Sequence, residues 1–138
     1  MPTQENQAFL DFELCGDAVN VQSEIATTDI IDLQITKVSN CAYAVVGGNI
    51  CYTITIFNNS DADFTTGELG GIIFRDPLAS NVQYVPGSFE YEIGAEPPVQ
   101  VEPDIDSNNV MTYDSLEIPA GDTAIVTFCV KVLSLPTP

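Results

Sequence analysis

Four cysteines and no histidine set the chemistry open to this chain of 138 residues. Cys15, Cys41, Cys51 and Cys129 include no CxxC pair, so zinc lacks its usual ligands and the sulfurs point to thiols or disulfides. An even number of dispersed cysteines suggests two disulfides; the plainer alternative is four reduced thiols, some buried as small hydrophobes. Without histidine there is no Ser-His or Cys-His pair to activate a nucleophile, and no Gly-rich phosphate loop follows a strand. The expectation is a protein that is not an enzyme and holds no cofactor. Asp61 with Asp63, and Asp104 with Asp106, are oxygen-rich pairs of the kind that can hold Ca²⁺. They lack the Gly and Glu of a known calcium loop, so solvated acidic loops and no metal site are expected. Lys37 or Lys131 could enter a Lys–Asn isopeptide bond, against which a snorkelling or salt-bridged lysine is the expectation.

The charge balance narrows the partners. Three basic and 20 acidic residues give a net charge of −17. Nucleic acid and anionic membranes both need Lys/Arg to meet phosphate, so neither is an expected partner. Copies of the chain repel one another, and self-association must be specific to overcome that. The opening "MPTQENQAF" has no basic n-region and no apolar h-region, and no stretch approaches transmembrane length, so no membrane insertion is expected.

Strands must position these residues, because helix signals are almost absent. Apolar content is 45%, enough for a core in one domain. "QAFLDFELC" alternates, with Ala8, Leu10, Phe12 and Leu14 on one face and Phe9, Asp11, Glu13 and Cys15 on the other. "DLQITKV" follows at residues 32–38. "ICYTITIF" at 50–57 sets Tyr52, Ile54 and Ile56 against Cys51, Thr53, Thr55 and Phe57. "GIIFRDPL" at 71–78 stops at Pro77, which has no amide proton for a ladder. "VQYVPGSFEYEI" reads as two short strands about a Pro-Gly turn. A long acidic loop follows, with a short edge strand at 99–101, and then the strand in "VMTYDSLEIPAGD". "TAIVTFCVKVL" at 123–133 is the last, with Val126, Phe128, Val130 and Val132 on its apolar face. About seven strands at this spacing predict an all-β, immunoglobulin-like β-sandwich over residues 31–138, preceded by a separate N-terminal segment, 1–30.

Residues 29–138 resemble the bacterial domain-of-unknown-function-eleven repeat, an Ig-like module of tandem surface arrays. The resemblance lies in Asp32, Leu33, Thr36 and Lys37; in Gly48, Tyr52, Thr53, Thr55, Asn58 and Asn59; in Asp76-Pro77; in Val85-Pro86-Gly87-Ser88; and in the closing "IPAGDTAIVTFCVKV". Cys51 and Cys129 depart from it, standing where such repeats often carry a polar residue, which suggests added cross-links. "NQAFLDFEL" and "VQSEIATTDI" resemble the final strand of such a repeat and the connector to the next. The resemblance therefore implies a module whose final strand lies at its N-terminus, one strand out of phase.

A module lacking its final strand leaves an edge open to strand addition. The expected donor is the strand bearing Ala8, Leu10, Phe12 and Leu14. The expected acceptor is the last strand, through Val126, Phe128, Val130 and Val132. Donation to a neighbour gives a head-to-tail contact that does not close, hence a filament whose partner is itself. Closure within the chain is the alternative, giving a monomeric, permuted binding or adhesion module. Cys15 and Cys129 share outward parity on donor and acceptor, so the preferred pairing is Cys15–Cys129 between subunits and Cys41–Cys51 within one; the other two connectivities stay open. The functional expectation is a structural subunit of an extracellular or cell- or spore-surface fibre.

Overall fold

The computed structural model describes residues 3–64 and 71–136. It is all-β, with thirteen strands in the order β1 (Thr3–Asn6), β2 (Phe9–Leu14), β3 (Asp17–Gln22), β4 (Ala26–Asp29), β5 (Leu33–Ser39), β6 (Asn49–Asn58), β7 (Ile72–Pro77), β8 (Val82–Tyr84), β9 (Glu90–Ile93), β10 (Val99–Gln100), β11 (Asp104–Ile105), β12 (Val110–Leu116) and β13 (Thr123–Val132). Four belong to the N-terminal segment and two are two-residue edge pieces, which leaves seven in the sandwich proper. No described helix is long and apolar enough to cross a membrane.

Two sheets face each other. The first runs β10-β9-β13-β6-β5, with β8 also paired to β13; the second is β11-β12-β7. Strand alternation builds the core between them. Ile54 and Ile56 of β6, and Ala124, Val126, Phe128 and Val130 of β13, point inward onto Phe74, Met111, Leu116 and Ile118, all buried. Phe89 precedes β9 and is fully buried; its ring meets those of Phe74, Tyr113 and Phe128. The turn before it needs a glycine. Ser88 N–H donates to Val85 carbonyl oxygen across Pro86-Gly87, and Gly87 has φ +81°, the conformation required at the third position of a type II turn.

The motif residues around Asn58 serve as clamps. Asn58 is fully buried; its Nδ2 donates to the carbonyl oxygens of Ala62 and Ile118, and its Oδ1 accepts from Ser60 N–H. Ser60 Oγ accepts from Asp32 N–H, and Asn59 Nδ2 donates to Asp32 Oδ2. These bonds tie the start of β5 and the loop after β6 to Ile118, beyond the end of β12.

Three expectations are corrected. First, β13 is not an edge. It pairs with β6 over Thr123 to Lys131, and on its other side with β9 at Ala124 to Thr127 and β8 at Val130 to Val132. Val126, Phe128, Val130 and Val132 are already buried in their own chain, and its backbone has no ladder left for a donor. Second, Cys129 pairs with Cys51 of the same chain, not with Cys15, and Cys41 is not bonded to Cys51. The register of β13 on β6 sets Cys129 directly opposite Cys51, with Cα atoms 4.0 Å apart. The backbone groups of both turn away to other partners: Cys51 to Asn40, Cys129 to Val85 and Ser88. That makes them a non-hydrogen-bonded pair, the position where opposed side chains approach most closely. Cys15 and Cys41 remain thiols. Third, residues 21–30 are no simple connector, since they supply most of the return strand of a hairpin.

Candidate functional site

The N-terminal residues form a hairpin of their own. β2 pairs with β3 and β1 with β4, and among the described residues these strands pair with nothing else. The turn is Cys15-Gly16, both with positive φ (52° and 84°), as a two-residue type I′ turn requires. Cys15 therefore sits exposed at the tip instead of on a strand face. Leu10 and Leu14 share one face with Val19 and Val21, while Asp11 and Glu13 share the other with Asn20 and Ala18. Leu10 is 67% exposed, Leu14 59% and Phe9 53%, and Ala8 is exposed as well. The backbone of Phe12 lies in β2; its side chain is outside the described set.

The sandwich has an open edge among its described residues. β5 ends the larger sheet and β7 ends the smaller one, on the same side of the molecule. Among the described residues β7 is paired only with β12. A three-stranded sheet cannot cover the whole inner face of its larger partner. Ile35, which points to the inner side opposite Ile56, is consequently 64% exposed, and Leu33 38%. Between the two edges lies a groove of about 370 Å³ lined by Leu33, Ile35, Ile56, Ile72, Phe74 and Arg75.

One ion pair spans the groove at its far end. Lys37 Nζ of β5 donates to Asp76 Oδ2 of β7 at 2.6 Å. The same ammonium lies 4.5 Å from the ring centre of Tyr52 and 5.6 Å from that of Phe128, within cation–π range. The lysine is thus salt-bridged, as expected, but over an aromatic floor beside an open edge. Lys37 and Arg75 are two of the three cations in the chain.

A second groove, on the other flank, is lined by Tyr91, Ile93, Val99 and Tyr113 and rimmed by Glu96 and Glu117. There burial, and then the hydrogen bond with Tyr91, push the Tyr113 phenol up to about 12. Its acidic rim repels a segment that carries Asp11 and Glu13.

The acidic pairs have local work. Asp106 Oδ1 accepts from Asn108 and Val110 N–H, and Asp63 Oδ1 accepts from Ala120 N–H. Among the described residues no cluster of His, Cys, Asp or Glu could hold a metal ion.

The sequence-derived donor residues Ala8, Leu10 and Leu14 are thus exposed, whereas the acceptor residues are buried. Reading by strand did not place Ile73 and Arg75 of β7 beside the groove. A usable signal was present: Ile72, Ile73 and Phe74 are apolar on both faces, which half-buried edge strands avoid. Comparison with family models, with curated proteins and with solved structures finds no match for this chain.

Proposed function

We propose that this chain is a structural subunit that polymerises head to tail by donating its N-terminal strand, forming an extracellular or cell- or spore-surface filament. One observation carries the reading. Among the described residues the chain holds an apolar hairpin face without a partner and, elsewhere, an uncovered apolar groove at a sheet edge. Each supplies what the other lacks. Charge supports the match: residues 3–29 carry six carboxylates and no cation, and Arg75 stands at the groove, where Lys37 is already paired with Asp76. The resemblance to Ig-like array repeats, in which a strand of this type completes the module, points the same way.

Burying an apolar side chain such as Leu10 contributes ~1.5–3 kcal/mol. Association costs ~4–15 kcal/mol in lost freedom. A few such side chains with new ladder bonds therefore give a contact near balance, and a cross-link makes it permanent. With Cys51 and Cys129 joined within the chain, a disulfide between subunits has Cys15 and Cys41 to draw on.

Electron micrographs of the purified protein test the reading. Filaments are expected, and Leu10→Asp is expected to abolish them while Glu13→Lys leaves them intact, because only Leu10 lies on the apolar face. A monodisperse monomer at high concentration would favour the binding-module alternative.

A further inference from the structure

We infer that the groove between β9 and β12 is a binding site for a small quaternary ammonium ion that carries no anionic group of its own. The site stands independently of the filament reading, since it lies on the other flank of the sandwich from β5 and β7.

The groove exists because the edge strands there are short. Tyr91 and Ile93 stand opposite Val126 and Ala124 in the ladder, and Tyr113 stands opposite Phe74, so all three point into the space between the sheets. β10 covers β9 only at Tyr91 and Glu90, and β11 covers β12 only at Thr112 and Met111. Among the described residues no strand pairs with Tyr113 on the side away from β7. The inner layer therefore opens to water there, in a cavity of about 460 Å³.

Its lining offers ring faces and carboxylates and no cation. The rings of Tyr91 and Tyr113 lie 5.5 Å apart, tilted by 33°, and fully buried Phe89 meets Tyr113 at 5.7 Å between ring centres. This aromatic floor is set before a ligand arrives, which spares the cost of ordering it. Ile93, Pro97, Val99 and Pro119 supply apolar walls, and Glu96 and Glu117 the rim. The hydroxyls at the groove are engaged: the Tyr113 phenol is hydrogen-bonded with Tyr91, and Ser115 Oγ donates to Asp114 Oδ1. The three cations of the chain lie elsewhere. Lys37 and Arg75 belong to the other groove. Lys131 stands opposite Asn49 and Gln83, beyond the stretch of β13 that pairs with β9.

These features select the ligand. Aromatic faces carry the negative part of the ring quadrupole and attract cations, most strongly where water is excluded. The rim carboxylates and the net charge of −17 add to that attraction. A primary ammonium gives up N–H bonds to water on entering, and ring faces offer no lone pair in their place. A quaternary ammonium has no such bonds to lose, and its methyl groups match the apolar walls. A ligand that carries its own phosphate or carboxylate is repelled by Glu96 and Glu117.

The test adds choline to the purified full chain and follows its N-methyl proton signal. Saturable one-to-one binding is expected, with an upfield shift, because ring currents shield a group seated on an aromatic face. The uncharged isostere, with carbon in place of the nitrogen, should bind about tenfold more weakly. n-Butylammonium and phosphocholine should also bind more weakly than choline. Glu96→Lys, at an exposed position, should weaken choline binding severalfold, and Asp11→Asn in the hairpin should leave it unchanged. Tyr113→Leu should remove the upfield shift; Tyr91→Leu serves the same purpose if melting curves show that Tyr113→Leu does not fold. Equal binding of the isostere overturns recognition of the charge, and equal binding of n-butylammonium overturns the quaternary class. Choline binding untouched by both Glu96→Lys and Tyr91→Leu overturns the assignment of the groove. Absence of saturable binding overturns the proposal as a whole and leaves the filament reading as it was.

Discussion

The sandwich and the N-terminal hairpin are built from the same kind of strand, yet they hold their apolar residues differently. In β13, Val126 and Phe128 are fully buried against a second sheet. In β2, Leu10 and Leu14 alternate just as regularly and remain mostly in water. Alternation makes a strand amphipathic, but only a facing layer makes it stable. The hairpin has its ladder and its turn without that layer. The difference teaches that, among the described residues, apolar side chains are covered at the centre of the sandwich and left exposed in the hairpin.

The largest expected effects lie at the centre. Phe128→Ala should cost about 3–5 kcal/mol, since it removes a ring packed on Phe89 and Tyr52. Leu10→Ala in the unassembled chain should change stability by no more than about 0.5 kcal/mol, as for other exposed positions. Denaturant titration of both variants checks the contrast; equal losses would break it by showing that the hairpin is packed in the single chain. The disulfide comes next. Cys51 and Cys129 close a loop of 78 residues, and their joint replacement by Ala should cost about 2–4 kcal/mol. Cys15→Ser and Cys41→Ser should leave the melting temperature of the unassembled chain unchanged.

Asn58→Ala should cost about 1–3 kcal/mol, because the carbonyls of Ala62 and Ile118 and the amide of Ser60 all lose a partner. It sharpens the comparison, since Asn20, which donates to Asp11 in the exposed hairpin, should be replaceable by Ala almost freely. The smallest effect concerns pH. Tyr113 titrates near 10 when unfolded and is pushed up to about 12 by burial, and then by Tyr91, when folded. The folded state therefore favours the protonated phenol. Its contribution is full below pH 10 and is lost as the pH rises through about 12. Melting curves should show alkaline loss beginning near pH 10, reduced in Tyr113→Phe, with no counterpart from the hairpin, which holds no tyrosine.

Strand period and turn chemistry determined the class of this fold. They placed Ile54, Ile56, Val126 and Phe128 on inner faces, marked the Pro86-Gly87 turn, and put Cys51 and Cys129 outward on their strands. These properties are local, fixed by which residues lie two apart or sit where φ must be positive. Pairing is not local. Only the register of β13 on β6 brings Cys51 opposite Cys129, and only the insertion of β13 between β6 and β9 removes it as an acceptor. The return strand β3 was hidden for a related reason. Val19 and Val21 form a face only once the Cys15-Gly16 turn lays them on Phe12 and Leu10 in the ladder. The contact of Lys37 with Asp76 joins residues 39 apart in sequence across the ends of two sheets. No spacing rule encodes such a meeting, because it depends on how two sheets stack and on where the smaller one stops.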